Sequence, residues 1–219
     1  MLTTPRLVLR LPGEDELGRL SAVAAAGVHE PGAKPFGNPW GAQPPQLRAR
    51  SVLQWHWATR AAWSPLRWTL DFAVFLDREP VGVQGLSAAG FPVRREVATG
   101  SWLGRPFQRR GFGTEMRAAV LTLAFGRLGA LSAVTGAFAD NPAAIGVSRR
   151  LGYADDGTEV ADRDGERVLA HRFRLSAAAA RDGWPAVTVA GADEDVLRMC
   201  GAAGPPWPQA VPLGGYPHA

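Results

Sequence analysis

Apolar and polar positions along this chain switch repeatedly between the period of a strand and that of a helix. Residues 6–10 read Arg-Leu-Val-Leu-Arg, a short strand, and Pro12-Gly13-Glu14-Asp15 then opens a helix reaching to about residue 26. Residues 27–45 are too rich in Pro and Gly to be regular; a loop of that length is a lid, a binding loop or disordered, and its aromatics favour order. A helix is predicted over about residues 46–63. Residues 68–76 and 81–86 form an antiparallel hairpin turning at Asp77-Arg78-Glu79-Pro80, and Glu96–Leu103 makes a third strand after a connector over residues 87–94.

Further along, Met116, Val120 and Leu123 share one helical stripe and Leu121, Phe125 and Leu128 the next, so this helix is apolar around much of its circumference and lies against a sheet. Residues 131–138 read as a buried strand, parallel to Glu96–Leu103 if the unit is a right-handed βαβ crossover. Asp140-Asn141-Pro142 caps a helix that Gly152 stops. A last hairpin joins residues 153–160 to 167–175 through Asp162-Arg163-Asp164-Gly165, residues 184–190 offer one more strand, and residues 204–219 are irregular. The expected architecture is a mixed α/β sheet of about seven strands flanked by helices. One domain spans residues 1–178, and residues 179–219 form a C-terminal extension.

Composition narrows the function classes. An apolar content of 46% over 219 residues suits a self-sufficient core, and scattered charges of both signs exclude a disordered chain. The net charge of +4 is almost all arginine, since Lys34 is the only lysine. Arginine suits phosphate, although a coding bias explains the excess equally well. Those arginines form no stripe and no nucleic-acid motif is present, so no nucleic-acid partner is expected. A single cysteine, Cys200, excludes an internal disulfide, and His29, His56, His171 and His218 lack zinc-ligand spacing, so no metal is expected. Without a signal-peptide core or a run of about 18 apolar residues, the expected address is the cytoplasm, with no membrane partner.

The stretch that carries chemistry is the one from Gly104 to Met116, between a strand and a long helix. Gly111 and Gly113 let backbone amides approach closely where unpaired N–H groups and the positive dipole end attract an anion; Arg109 and Arg110 add charge, and Thr114 a hydroxyl. A P-loop needs a lysine that is absent, and a dinucleotide fingerprint needs a third glycine where Met116 stands.

Gln108-Arg109-Arg110-Gly111-Phe112-Gly113-Thr114 resembles the Q/R-x-x-G-x-G/A acyl-CoA loop of the GNAT acyltransferases. Thr4-Pro5-Arg6-Leu7-Val8-Leu9-Arg10 is similar to the first strand of the branch that includes the ribosomal-protein N-terminal acetyltransferases. Ser101-Trp102-Leu103 resembles the strand end before the loop. Asn141 to Tyr153 resembles the later helix that ends in Leu-Gly-Phe/Tyr.

The resemblance implies transfer of an acetyl, succinyl or other acyl group from acyl-CoA to a primary amine. The pyrophosphate would rest on residues 108–114, and pantetheine would pair with the strand end at Trp102, Leu103 and Gly104. Asn141 would touch cofactor or amine. Ser148 stands where many members carry the tyrosine that protonates the departing thiolate, though a serine there can equally serve its own helix.

Two positions depart from the family: Ala144 replaces a common serine, and Ala98 a common glutamate, which removes the usual base. Glu96, on the same strand face as Ala98, Gly100 and Trp102, is the base candidate, with Glu30 and His29 behind it. The aromatics Phe36, Trp40, Trp55, Trp57, Trp63 and Trp68 line the acceptor region or belong to the core. The missing glutamate also motivates a rival, a non-catalytic acyl-CoA-binding or regulatory module of the same fold. An extension with no evident partner suggests a homodimer.

Overall fold

A computed structural model describes residues 1–180 and 183–202. Its strands are β1 (Leu2–Thr3), β2 (Val8–Arg10), β3 (Arg67–Leu76), β4 (Glu79–Ala89), β5 (Glu96–Leu103), β6 (Ser132–Phe138), β7 (Ala154–Arg163), β8 (Glu166–Ser176) and β9 (Thr188–Val189). The helices are α1 (Glu14–Ala26), α2 (Pro45–Ala61), the short α3 (Phe91–Arg94), α4 (Phe112–Gly126), α5 (Pro142–Arg150) and α6 (Glu194–Met199). One sheet runs β7-β8-β6-β5-β4-β3-β2-β1-β9, and only the β5–β6 pair is parallel.

The sheet thus exceeds the expected seven strands by two short pieces that pair with each other: Leu2–Thr3, which was not expected, and Thr188–Val189, which lies within the further strand expected over residues 184–190. Two residues are too few to show a period, so pairing alone defines Leu2–Thr3. The hairpins turn where expected: Asp77 and Arg78 both have positive φ, as do Asp164 and Gly165, which is what a tight turn matched to strand twist requires.

The sheet has two packed faces. On one, α4 buries Met116, Val120 and Leu121 against Leu70, Leu86, Val97 and Phe173; on the other, Leu17, Leu20 and Ala24 of α1 and Val52 of α2 cover Ala73, Phe75 and Val83. Glu14, Asp15 and Glu16 crowd the first turn of α1, where negative charge meets the helix dipole. The long loop after α1 is ordered by one residue: Arg48 donates to the carbonyls of Ala24, Ala25, Gly41 and Gln43.

The described part of the extension packs on its own chain. Ala190 exchanges hydrogen bonds with Met1, Trp68 and Trp63 donate to the carbonyls of Cys200 and Met199, and Arg127 donates to Ala192. The segment whose missing partner suggested a homodimer therefore has partners within the chain. Cys200 is buried and its thiol is pushed up to about 12, so it is no nucleophile. The irregular tail expected over residues 204–219 lies outside the described residues.

Candidate active site

Strands β5 and β6 begin as a parallel pair and then separate. Their register covers only Glu96↔Ser132, Val97↔Ala133 and Ala98↔Val134. Beyond it β5 continues on β4 to Gly82↔Leu103 and β6 continues on β8 to Phe138↔Ala170. Thr135 Oγ1 donates to the Thr99 carbonyl at 3.0 Å, the last link before the gap opens. Beyond Thr99 the backbone edge of β5 that faces β6 therefore has no strand partner, only the Leu103 carbonyl being taken, by Gln108, and the rest is open to an incoming amide-bearing arm.

The glycine loop caps this opening. Gly111 sits at φ 82° as the N-cap of α4, a left-handed conformation that suits glycine, and Arg109 is at φ 58°. No protein acceptor among the described residues takes the N–H groups of Arg109, Arg110, Gly111, Phe112 or Gly113. Consecutive free amides at a helix start form an anion nest. Thr114 lies in the first turn of α4, its N–H donating to Gly111 O. Arg110 is exposed, its guanidinium over the Phe112 ring. Gln108 plays a different part, since its amide donates at 2.8 Å to the carbonyls of Leu103 and Val28 and so fastens the loop to the strand end and the α1 exit. Leu103 is buried; Trp102 packs on the opposite face, edge-on to Trp40 at 5.7 Å.

A buried carboxylate holds the loop from below, and sequence reading passed over it. Glu115 accepts from Thr4 Oγ1 at 2.6 Å, Arg6 N at 3.1 Å and Arg6 Nε at 2.7 Å. Arg6 also donates to the Arg110 carbonyl and stacks on Phe112. The Thr-Pro-Arg opening and the Gly-Thr-Glu of the loop are thus two halves of one clamp.

Asn141 caps α5: its side chain accepts from Ala144 N at 3.1 Å. Ser148, one turn further than Ala144, is buried, donates to the Ala144 carbonyl at 3.0 Å and accepts from Arg117 Nη1 at 3.1 Å. Arg117 is the unexpected member, only 5% exposed. It has no carboxylate partner among the described residues, its Nε has no acceptor, and burial pulls its pKa below the ordinary value. Tyr153 lies close enough to feel that charge, and its hydroxyl is 3.4 Å from Thr99 Oγ1 at the vertex of the opening.

Glu96 is not brought to this cluster. It starts β5, at the end opposite the glycine loop, between Arg94, Arg174 and Ser132. Burial raises its pKa, but the hydrogen bonds from Arg174, Ser132 and Arg94 outweigh that and leave it low, which weakens it as a base. Glu30 is exposed and paired with Arg105 at 2.7 Å, while His29 Nδ1 bonds the Glu30 carbonyl.

A splayed parallel pair below an anion nest defines an acyl-CoA-dependent N-acyltransferase. Residues 6–154 match the family described as acetyltransferase (GNAT) domain, more than half of the chain, so the chain belongs to the GNAT acetyltransferase family.

The fold is shared with solved structures. RimL, a ribosomal alpha-N-protein acetyltransferase in complex with coenzyme A, is 18% identical, with a TM-score of 0.62 over 79% of this chain and 95% of that one. An acetyl transferase from Salmonella typhimurium that modifies the N-terminal serine of a 50S ribosomal subunit protein is 16% identical, with a TM-score of 0.61 over 80% of this chain and 99% of that one. A spermidine N-acetyltransferase chimera from Vibrio cholerae and hSSAT is 14% identical, with a TM-score of 0.61 over 79% and 96%.

Proposed function

We propose that the chain moves an acetyl, succinyl or related acyl group from acyl-CoA directly to a primary amine, with the thioester at the vertex where β5 leaves β6. The observation that carries this is the juxtaposition of that unpaired strand edge with five free amides at the start of α4. The amides from Arg109 to Gly113 hold the pyrophosphate, assisted by the Arg109 and Arg110 side chains and the Thr114 hydroxyl. The edge at Trp102 and Leu103 aligns the pantetheine arm, and the Asn141 amide group, whose oxygen is spent on the cap, keeps its N–H donors for the substrate.

Departure of the thiolate needs positive charge or a proton at sulfur. Arg117 supplies the first through its bond to Ser148, whose hydroxyl turns from the Ala144 carbonyl to the sulfur. An uncompensated buried cation is costly, and a transient anion beside it explains why the fold keeps one.

Calorimetric titration with acetyl-CoA, succinyl-CoA and free CoA tests the reading and selects the acyl group. Gly111→Trp should abolish binding, whereas Gly111→Asn, which tolerates positive φ, should retain it. Failure of the folded wild-type chain to bind any of the three refutes the proposal.

A further inference from the structure

The face of the vertex opposite Arg117 carries a second built site. On β3, β4 and β5 the residues Asp71, Gly85 and Gly100 lie side by side in register. All three point to the α1/α2 side, since Ala73, Val83 and Trp102, each two residues along its strand, pack there. Two adjacent glycines leave a gap in that face. The first half is filled by the acid: an ideal Cβ at Gly85 would lie 2.9 Å from Asp71 Oδ1. The second half is empty, with nothing within 4 Å of the corresponding point above Gly100. The carboxylate thus stands about one strand spacing, roughly 4.8 Å, from the strand that lines the thioester opening.

Asp71 is only 7% exposed and has no cationic partner among the described residues. Trp55 Nε1 donates to Oδ2 at 2.7 Å from α2, while no described residue donates to Oδ1. Burial raises its pKa against the hydrogen bond from Trp55, the Thr59 hydroxyl being turned to the Trp55 and His56 carbonyls. Trp55 itself is 56% exposed and holds the acid through its indole N–H, and Trp102, two residues along β5, lies on the same face as Gly100. A buried carboxylate without a cation beside it is the chemistry that recognises an ammonium ion. Further along the same strands, Thr69, Ser87 and Ala98 line an open pocket of about 300 Å³ whose rim carries Arg67, Arg94 and Glu96. Ala98 is where the sequence lacks the expected glutamate, and Asp71 reaches the same face from two strands away.

We propose that Asp71 is the acceptor site: it binds the primary ammonium of a substrate with an unbranched arm, over Gly100 and beside Trp55, and takes its proton. This rests on the acyl-transfer reading for the next step. The ammonium gives one proton to Asp71, and the freed lone pair forms the N–C bond at the thioester carbonyl. The C–S bond breaks with its electrons on sulfur, and the second amine proton goes to the thiolate.

Indole signals of the chain labelled with nitrogen-15 report on the site without turnover, the Trp55 signal being assigned with Trp55→Phe. Butylammonium should shift that signal saturably and butanol should not; Asp71→Asn should abolish the shift. Gly100→Leu, whose side chain enters open space, should block it too and carries the test if Asp71→Asn fails to fold. With butylamine as acceptor, Asp71→Asn should lower turnover by about 100-fold or more while acetyl-CoA affinity holds. No shift with butylammonium, or the same shift with butanol or in Asp71→Asn, overturns the assignment. Acetyl-CoA titrated into the same sample separates the two readings. Binding with an unmoved Trp55 sinks Asp71 alone, whereas a saturable Trp55 shift without acetyl-CoA binding keeps the amine site and sinks the transferase reading.

Discussion

Replacing Arg117 by methionine should make the protein more stable and less active. The residue is only 5% exposed, the one hydrogen bond its side chain makes among the described residues is to Ser148 Oγ at 3.1 Å, and its Nε is unsatisfied. Methionine has similar volume, buries no charge and leaves Ser148 with its bond to the Ala144 carbonyl. Exchanging buried ions for apolar side chains of matching volume gains about 1–4 kcal/mol, and here there is no ion-pair attraction to lose. For a chain of this size each kcal/mol moves Tm by about 2–4 °C, so a rise of roughly 2–16 °C is expected. Removing the charge from the departing thiolate should lower kcat on the order of 100-fold. Thermal melting and steady-state kinetics with acetyl-CoA read both, and the ultraviolet thiolate absorbance of bound CoA against pH reads the cause, because the bound thiol should titrate higher in Arg117→Met. A lower Tm with unchanged kcat would refute the reasoning on both counts.

The clamp below the phosphate loop gives a second test. Glu115→Ala removes three accepted hydrogen bonds around a partly exposed arginine, which should cost about 2–4 kcal/mol, lower Tm by about 5–15 °C and weaken acyl-CoA binding in calorimetry. His56 predicts an acid limb. Burial, with help from Arg60 and against Glu14, lowers its pKa from 6.5 to about 4, so between those values the unfolded chain binds the extra proton. Stability is complete above about pH 6.5 and falls as pH drops toward 4, by at most about 3 kcal/mol, and His56→Leu should flatten that limb in denaturant titrations.

The helix starts, the hairpin turns and the glycine loop were legible because each depends on residues close in sequence: Asn141-Pro142, Asp164-Gly165, Gly111-Phe112-Gly113. A strand near β9 was expected over residues 184–190, but β1 and its pairing with β9 were not, because contact between residues 185 or more positions apart is a property of the whole sheet. Ser148 was singled out for its position, and the reading that it serves its own helix holds in its bond to the Ala144 carbonyl, but Arg117 behind it was not foreseen. A signal existed: one arginine inside a helix apolar around most of its circumference has nowhere to go but inward. Asp71 offered the same kind of signal, an acid in the middle of Trp68-Thr69-Leu70-Asp71-Phe72-Ala73-Val74. Glu96 was placed on the correct face, yet nothing local revealed that Arg174, from a strand far along the chain, would claim it.

Thr99 and Gly100 are neighbours whose substituents point to opposite sides of one strand. The hydroxyl of Thr99 joins Tyr153 on the α4 side, while Gly100 opens toward α2. Substitutions that drift or are selected on the α2 side can therefore retune which amine is taken without disturbing how the acyl donor is held. A single backbone of this design is free to diversify in acceptor choice while its donor chemistry stays fixed, and an engineer can randomise the Ser87, Ala98 and Gly100 positions as a library with little risk to thioester binding.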